Sequence, residues 1–379
     1  MEQRVHRAPR TRLTRILGVL TGLILLLVIL IVIVRYSDIW VHQFGEREPA
    51  QLLQAATVRP APVPDTLTVM NWNIKFGGGR IDFFFDCFGD RAVMTEAEVL
   101  RHLQGLADKI NQVDPDILLL QEADMDSTRS AYLNQVQWLL DHTHLNYAAF
   151  ASDWQVRWVP SNGLGRVNSG NAVLSRWPLT EAQRIALPLL EKQSSLRRFF
   201  FLRRNVLAVR VDIPRSRPVY VLNTHLEPYG QDGTKQEQLN IFHRAVDRLA
   251  DTGALVIAGG DLNVLPPGAR HVKGFDDSAC RDEYLADDYS AETTWLRPLF
   301  EKYASAIPLA MYLADEKAYF SHTVKGSGWW NRTVDYLFSN SAWAGTGVVH
   351  QDEQTGMATM PLSDHAPLTG RLRLKQPAD

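Results

Sequence analysis

Asn, Asp, Glu and His residues fall repeatedly at the ends of apolar runs in this 379-residue sequence. One run finishes at Asn71-Trp72-Asn73, a second, DILLLQE, at Glu122, and a third, VLNTHLE, brings Asn223 and His225. LVIAGGDLNVLP delivers Asp261 and Asn263, RTVDYLFSN carries Asp335, and LSDHAPL carries Asp364 and His365. Singly, each has an ordinary explanation, since Asn and Asp close strands and turns and a lone histidine is commonly a surface or core residue. As a set they share a chemistry. Glu122 and Asp364 are hard oxygen ligands suited to Mg²⁺ or Mn²⁺, with the Asn73 amide oxygen as a partner. Such an ion polarises a phosphoryl oxygen and offsets charge building at phosphorus. His365 beside Asp335 makes an acid/base pair in which the carboxylate fixes the imidazole tautomer. His225 and Asn263 can donate hydrogen bonds to a phosphate, and Asp261 can activate water or protonate a leaving oxygen.

Such groups work together only if rigid elements converge them on one cleft. Short apolar strands are expected at 67–74, 116–121, 172–175, 205–213, 218–224, 255–259, 334–338 and 368–374. Helical stretches are expected near 96–112, 130–142 and 236–251, the first with Val99, Leu103, Leu106 and Ile110 at helix-like spacing. Two sheets packed face to face with helices outside accommodate this count, in one catalytic domain spanning about 67–375.

The set Asn73, Glu122, Asp261-x-Asn263, Asp335 and Ser363-Asp364-His365 resembles the endonuclease/exonuclease/phosphatase superfamily, in order and spacing, across nearly all of 67–375. GDLN followed much later by SDH carries the resemblance. It implies an α/β fold of four layers, two mainly antiparallel β-sheets between helices, as in DNase I-like proteins, and in-line attack of water on a phosphate ester. It further implies Glu122 as the principal metal ligand and Asp335–His365 as the acid/base dyad, with either His365 or Asp261 as the base. NTHLE and SGNAVLSRWP, with Asn171, look more like the sphingomyelinase and lipid-phosphatase side of that superfamily than its DNA-repair side. A phosphodiesterase acting on lipid head groups with Mg²⁺ is therefore expected; an extracytoplasmic nuclease with the same site, or a tethered binding module, are the rivals.

From Ile16 to Val34 the chain is apolar except for Thr21, enough to span a bilayer as one helix. Five arginines precede this run in residues 1–15 and favour a cytoplasmic tail, with everything beyond residue 35 extracytoplasmic, in the periplasm if the source is bacterial. A cleaved signal peptide is the alternative, but no small-x-small cleavage site follows the run. Residues 35–66, with Pro60, Pro62 and Pro64, read as an extended linker. The net charge of -2 conceals an excess of +4 in residues 1–15, which leaves the body acidic and disfavours non-specific nucleic-acid binding, though a nucleic-acid substrate stays open. Two cysteines, Cys87 and Cys280, are too few for a disulfide framework or a zinc cluster; they can pair or stand as separate thiols. No feature points to an obligate protein partner. Ile81–Phe85, Trp329-Trp330 and the arginines 197, 198, 203 and 204 are candidate membrane or head-group contacts, against a plain reading as core or hairpin face.

Overall fold

The computed structural model describes residues 10–36, 40–85, 89–159, 161–191, 193–228, 232–275, 288–324, 329–351 and 358–374. Cys87 and Cys280, and the first nine residues of the basic tail, lie outside them. The chain divides into two compact units, Met1–Gln43 and Phe44–Asp379. In the first, helix α1 (Arg10–Tyr36) contains the stretch Thr14–Ile33, charged only at Arg15 and long and apolar enough to cross a membrane. Its leucines, isoleucines and valines are exposed, as they would be to lipid. A membrane span and a signal sequence share that signature.

In the second unit, fourteen described strands form two seven-stranded sheets. One sheet runs β1 (Arg47–Pro49), β7 (Leu179–Ala186), β8 (Asn205–Val211), β9 (Val219–His225), β10 (Leu255–Asp261), β12 (Asp335–Ser339), β11 (Ala304–Ser305). The other runs β13 (Val348–Val349), β14 (Leu368–Arg373), β3 (Thr66–Asn73), β4 (Ile117–Asp124), β6 (Gly165–Ser175), β5 (Tyr147–Val159), β2 (Gln51–Gln54). Each sheet contains one parallel pair, β9 with β10 and β3 with β4, and is otherwise antiparallel.

Period-two alternation builds the layers. Leu67, Val69, Ile117, Leu119, Val173, Leu207, Val209, Val219, Val221, Leu255 and Ile257 point inward and fill the space between the sheets. The alternate residues of the second sheet, Met70, Trp72, Leu118, Leu120 and Leu174, pack under α2 (Glu96–Val113) and α3 (Gln135–His142). On the opposite outer face Val206, Leu222, Val256, Ala258 and Phe338 meet α5 (Thr234–Ala250) and α6 (Arg297–Lys302) through Phe242, Val246 and Leu299. The result is the expected four-layer α/β sandwich. α2 shows why the sequence folds so locally: Thr95 and Glu98 cap its N-terminus reciprocally, and Val99, Leu103, Leu106 and Ile110 form one buried stripe.

All eight expected strands and three expected helices are present. Within the segment expected to be a linker, residues 47–54 instead form β1 and β2, an edge strand of each sheet. The segment is extended, as its composition suggested, but Ala50, Leu53, Ala55 and Ala61 pack on the two cores, so the folded domain begins ahead of Leu67. The Ile81–Phe85 run is no exposed lip: Phe83 is buried and makes ring contacts with Phe76 and Phe85. Trp330 is likewise buried, with the Arg80 guanidinium over its ring.

Candidate active site

Following the inward face of each strand toward one end, the residue type changes. β3 reads Leu67, Val69, Asn71, Asn73; β9 reads Val219, Val221, Asn223, His225; β10 reads Leu255, Ile257, Gly259, Asp261. Aliphatic residues give way to amides and then to ionisable groups, so one end of the inter-sheet space is polar. Gln121 joins the two sheets there, its amide nitrogen donating to Asn71 Oδ1 at 2.8 Å and to Asn223 Oδ1 at 2.7 Å. Asn223 in turn donates to the carbonyls of Leu120 and Ala172 at 2.7 and 2.9 Å. These buried amides form a hydrogen-bonded floor beneath the ionisable residues.

Two backbone irregularities aim the side chains above it. The β4–β6 register shifts between Leu120 and Ala123, and Glu122 takes a left-handed φ of 55°. This bulge turns Glu122 toward Asn73, whose Nδ2 donates to Glu122 Oε1 at 3.1 Å, whereas strict alternation would have sent it toward the helices. At Gly260 φ is 132°, and a Cβ there would collide with the Thr224 carbonyl, so only glycine lets β10 deliver Asp261 beside His225.

Asp261 is the hub. Its Oδ2 accepts from Asn73 Nδ2 at 3.1 Å and lies 3.3 Å from His225 Nε2 and 3.5 Å from His365 Nε2. Its Oδ1 accepts the Asn263 backbone N–H at 3.1 Å. His365 Nδ1 is 2.8 Å from Asp335 Oδ2, an oxygen that also accepts from Ser321 Oγ at 2.7 Å. Ser363 ties the loop holding Asp364 and His365 to β3, donating to the Asn73 carbonyl at 2.7 Å.

Burial pushes the Asp261 carboxyl up to about 7, with His365 opposing and Asp335 adding to the rise. Burial alone would lower His365; Asp335 and Asp261 outweigh it and raise the imidazole to about 10. His225 is held well below the usual imidazole range by burial, then by Arg204 and His365. Burial and the neighbouring Asp364 carboxylate raise Glu122, whereas Asp364 itself is held low, against burial, by Lys75 and His365.

The structure thus brings Asn73, Glu122, His225, Asp261, Asp335, Asp364 and His365 together. Asn263 is adjacent through its backbone, while its side-chain amide donates to the Leu226 carbonyl at 3.0 Å. Asn73 presents its amide nitrogen to the carboxylates, and its oxygen accepts from the Lys75 N–H at 3.0 Å. Of the four arginines, Arg204 is buried 3.9 Å from Glu227, whereas Arg197 and Arg198 lie exposed on α4 (Ser195–Phe200). Sequence reasoning missed Lys75, 3.9 Å from Asp364; Gln121; and His322, whose ring centroid lies 4.3 Å from that of His365. Gln121 was findable, directly before Glu122 on an apolar run; His322 has no such signal.

The model of the Endonuclease/Exonuclease/phosphatase family matches residues 70–365. Among solved structures, the endonuclease/exonuclease/phosphatase from Beutenbergia cavernae DSM 12333 is 21% identical, with 83% of this chain and 74% of that chain covered and a TM-score of 0.53. A family protein from Leptotrichia buccalis C-1013-b is 14% identical, covering 82% of this chain and 99% of that one, with a TM-score of 0.50. Truncated TDP2 from Caenorhabditis elegans is 18% identical over 81% of this chain and 97% of that one, with a TM-score of 0.46. No curated protein matches the sequence.

Proposed function

The chain belongs to the endonuclease/exonuclease/phosphatase family, and on that premise we propose that it is a Mg²⁺-dependent phosphodiesterase of lipid head groups, sphingomyelinase-like and held at a membrane by α1. Members of this family are usually hydrolases of phosphoester bonds and generally need a divalent metal. The observation that carries the hydrolytic reading is the convergence of two imidazoles and an amide on one carboxylate oxygen of Asp261, at 3.1 to 3.5 Å.

The donor set fits a hard cation. Glu122 and Asp364 are oxygen ligands near enough for Asp364 to raise Glu122, the repulsion a divalent ion would relieve. Glu122 and Asp364 would hold it, while Asn73, whose amide nitrogen donates to Glu122 and Asp261, positions the carboxylates. When bound, it supplies charge stabilisation to a phosphoryl oxygen. The remaining roles belong to this chain's residues. Asp335 accepts the Nδ1 hydrogen of His365, so Nε2 holds the transferable proton and faces the cleft. Asp261 Oδ2, 3.5 Å from that nitrogen, takes the proton from attacking water, and His365 donates to the developing oxyanion or leaving oxygen. His225 and Asn73 orient Asp261, and the Asn263 backbone fixes its other oxygen.

The lipid assignment is supported by the NTHLE and SGNAVLSRWP segments, by an acidic body and by α1. In this reading residues 1–15 are a cytoplasmic tail, 16–34 span the membrane, and the sandwich is extracytoplasmic. The deciding experiment is hydrolysis of sphingomyelin, phosphatidylcholine, phosphoinositides, nicked plasmid and single-stranded DNA, with Mg²⁺ or with chelator. Metal-dependent release of a lipid head group with nucleic acids intact supports the proposal; DNA cleavage with inert lipids replaces it with a tethered nuclease.

A further inference from the structure

His322 has no part in the reaction above, yet it stands against its centre. Its backbone bridges both Arg332 and His365, and its ring is tilted 40° to that of His365. Nδ1 lies 3.1 Å from the Asp364 main-chain carbonyl. A carbonyl only accepts, so Nδ1 carries the hydrogen and Nε2 of the neutral ring presents a lone pair. His365 is held in the same way, its Nδ1 on Asp335 at 2.8 Å. Two imidazoles whose Nδ1 atoms rest on oxygens are supported as metal-ligating histidines are. One potential ligand atom from each of His322, Asp364 and His365 lies within 4.8 Å of the others.

We propose that His322, Asp364 and His365 form a second cation site that takes a borderline transition metal, Zn²⁺ above all, and that filling it inhibits hydrolysis by releasing the His365 Nε2 proton to solvent and capturing that nitrogen. Two nitrogens and one carboxylate, with a fourth position open to water, make a zinc-type donor set, whereas Mg²⁺ demands octahedral oxygen. The order of divalent affinities at nitrogen ligands points the same way. Zinc bonds of about 2.0–2.1 Å separate tetrahedral ligands by about 3.4 Å. Atoms already within 4.8 Å need close by only about 1.4 Å at most, a small side-chain rotation. His322 is only partly covered, so an ion can reach it. The inhibition rests on the hydrolytic reading; the binding does not.

The test uses the full chain with excess Mg²⁺ and Co²⁺ as a visible probe, displaced by Zn²⁺ and followed by absorption and calorimetry. His322→Phe keeps the ring without a ligand atom, and His322→Asn keeps a donor for the Asp364 carbonyl. Each is expected to weaken Co²⁺ and Zn²⁺ binding by at least about tenfold. Each should raise equally the Zn²⁺ concentration that halves that variant's own Mg²⁺-supported rate. Glu122→Gln, which removes the Mg²⁺ ligand, should keep the His322-dependent binding, so a failure of the hydrolytic reading leaves this arm decisive. Equal Zn²⁺ affinity in the wild type and both His322 variants overturns the site. His322-dependent binding that leaves hydrolysis unaffected overturns the inhibition.

Discussion

The two ends of the inter-sheet space are built from the same strands and do opposite things. At the aliphatic end, Val69, Leu119, Val221 and Ile257 are fully buried and contribute by leaving water, with no directional demand on one another. At the polar end, Asn71, Gln121, Asn223 and Asp261 are as deeply buried, but each must be matched donor to acceptor. The first end stabilises; the second holds an arrangement whose carboxylates repel. A single sheet face can therefore be stable at one end and reactive at the other, because rigidity passes along the strand while the unfavourable electrostatics stay at its tip.

That contrast breaks most easily through activity. Glu122→Ala or His365→Ala should each lower turnover at least about a thousandfold, with the circular dichroism spectrum unchanged. An active His365→Ala enzyme with an unchanged circular dichroism spectrum would sink the proposed roles. Leu119→Ala should give the mirror image: a loss of about 2–5 kcal/mol in unfolding free energy, with kcat unchanged below the transition. If Leu119→Ala depressed kcat as much as stability, the ends would not be separable. Gln121→Leu sits at the boundary and should cost both, about 1–3 kcal/mol from the orphaned Asn71 and Asn223 oxygens and a measurable part of kcat.

A smaller effect sharpens the comparison by pH. Asp153 is buried beside Asn205, whose Nδ2 donates to it at 2.6 Å, and burial pushes its carboxyl up to about 7 against Arg204 and Arg184. The folded state therefore binds a proton that the unfolded chain has released, and stability from this group falls as pH rises from about 4 toward about 7. The slope should reach about 1.4 kcal/mol per pH unit at most, and Asp153→Asn should flatten it in urea titrations.

Much of this was legible because alternation is written directly in the strands. LTVMNWN and VYVLNTH display both the buried face and the residues at its end. The strands that escaped notice have physical reasons for it. β7, LTEAQRIA, is largely polar on its exposed face, and β5, YAAFASDWQVRWV, mixes small and charged residues along a partly exposed extension. β1 and β2 are short edges recognisable only by the partners they meet. In the site, groups announced by neighbouring apolar runs were visible, while His322 was not, because its position depends on backbone pairing with residues 332 and 365. Nor could the sequence show which amide atom Asn73 presents, since that depends on Glu122 and Asp261 arriving from two other strands.

The bulge at Glu122 also makes that position unusually sensitive to changes of length. One surplus residue there decides which side of a sheet the next side chains inhabit. Removing the Gln121 codon would restore an unbroken ladder and set the glutamate on the inward row that Gln121 occupies, so a chain so shortened would keep its layers and its glutamate but lose the bulge that aims it at Asn73. At that point in the gene, length rather than identity is the switch between a working copy and a silent one.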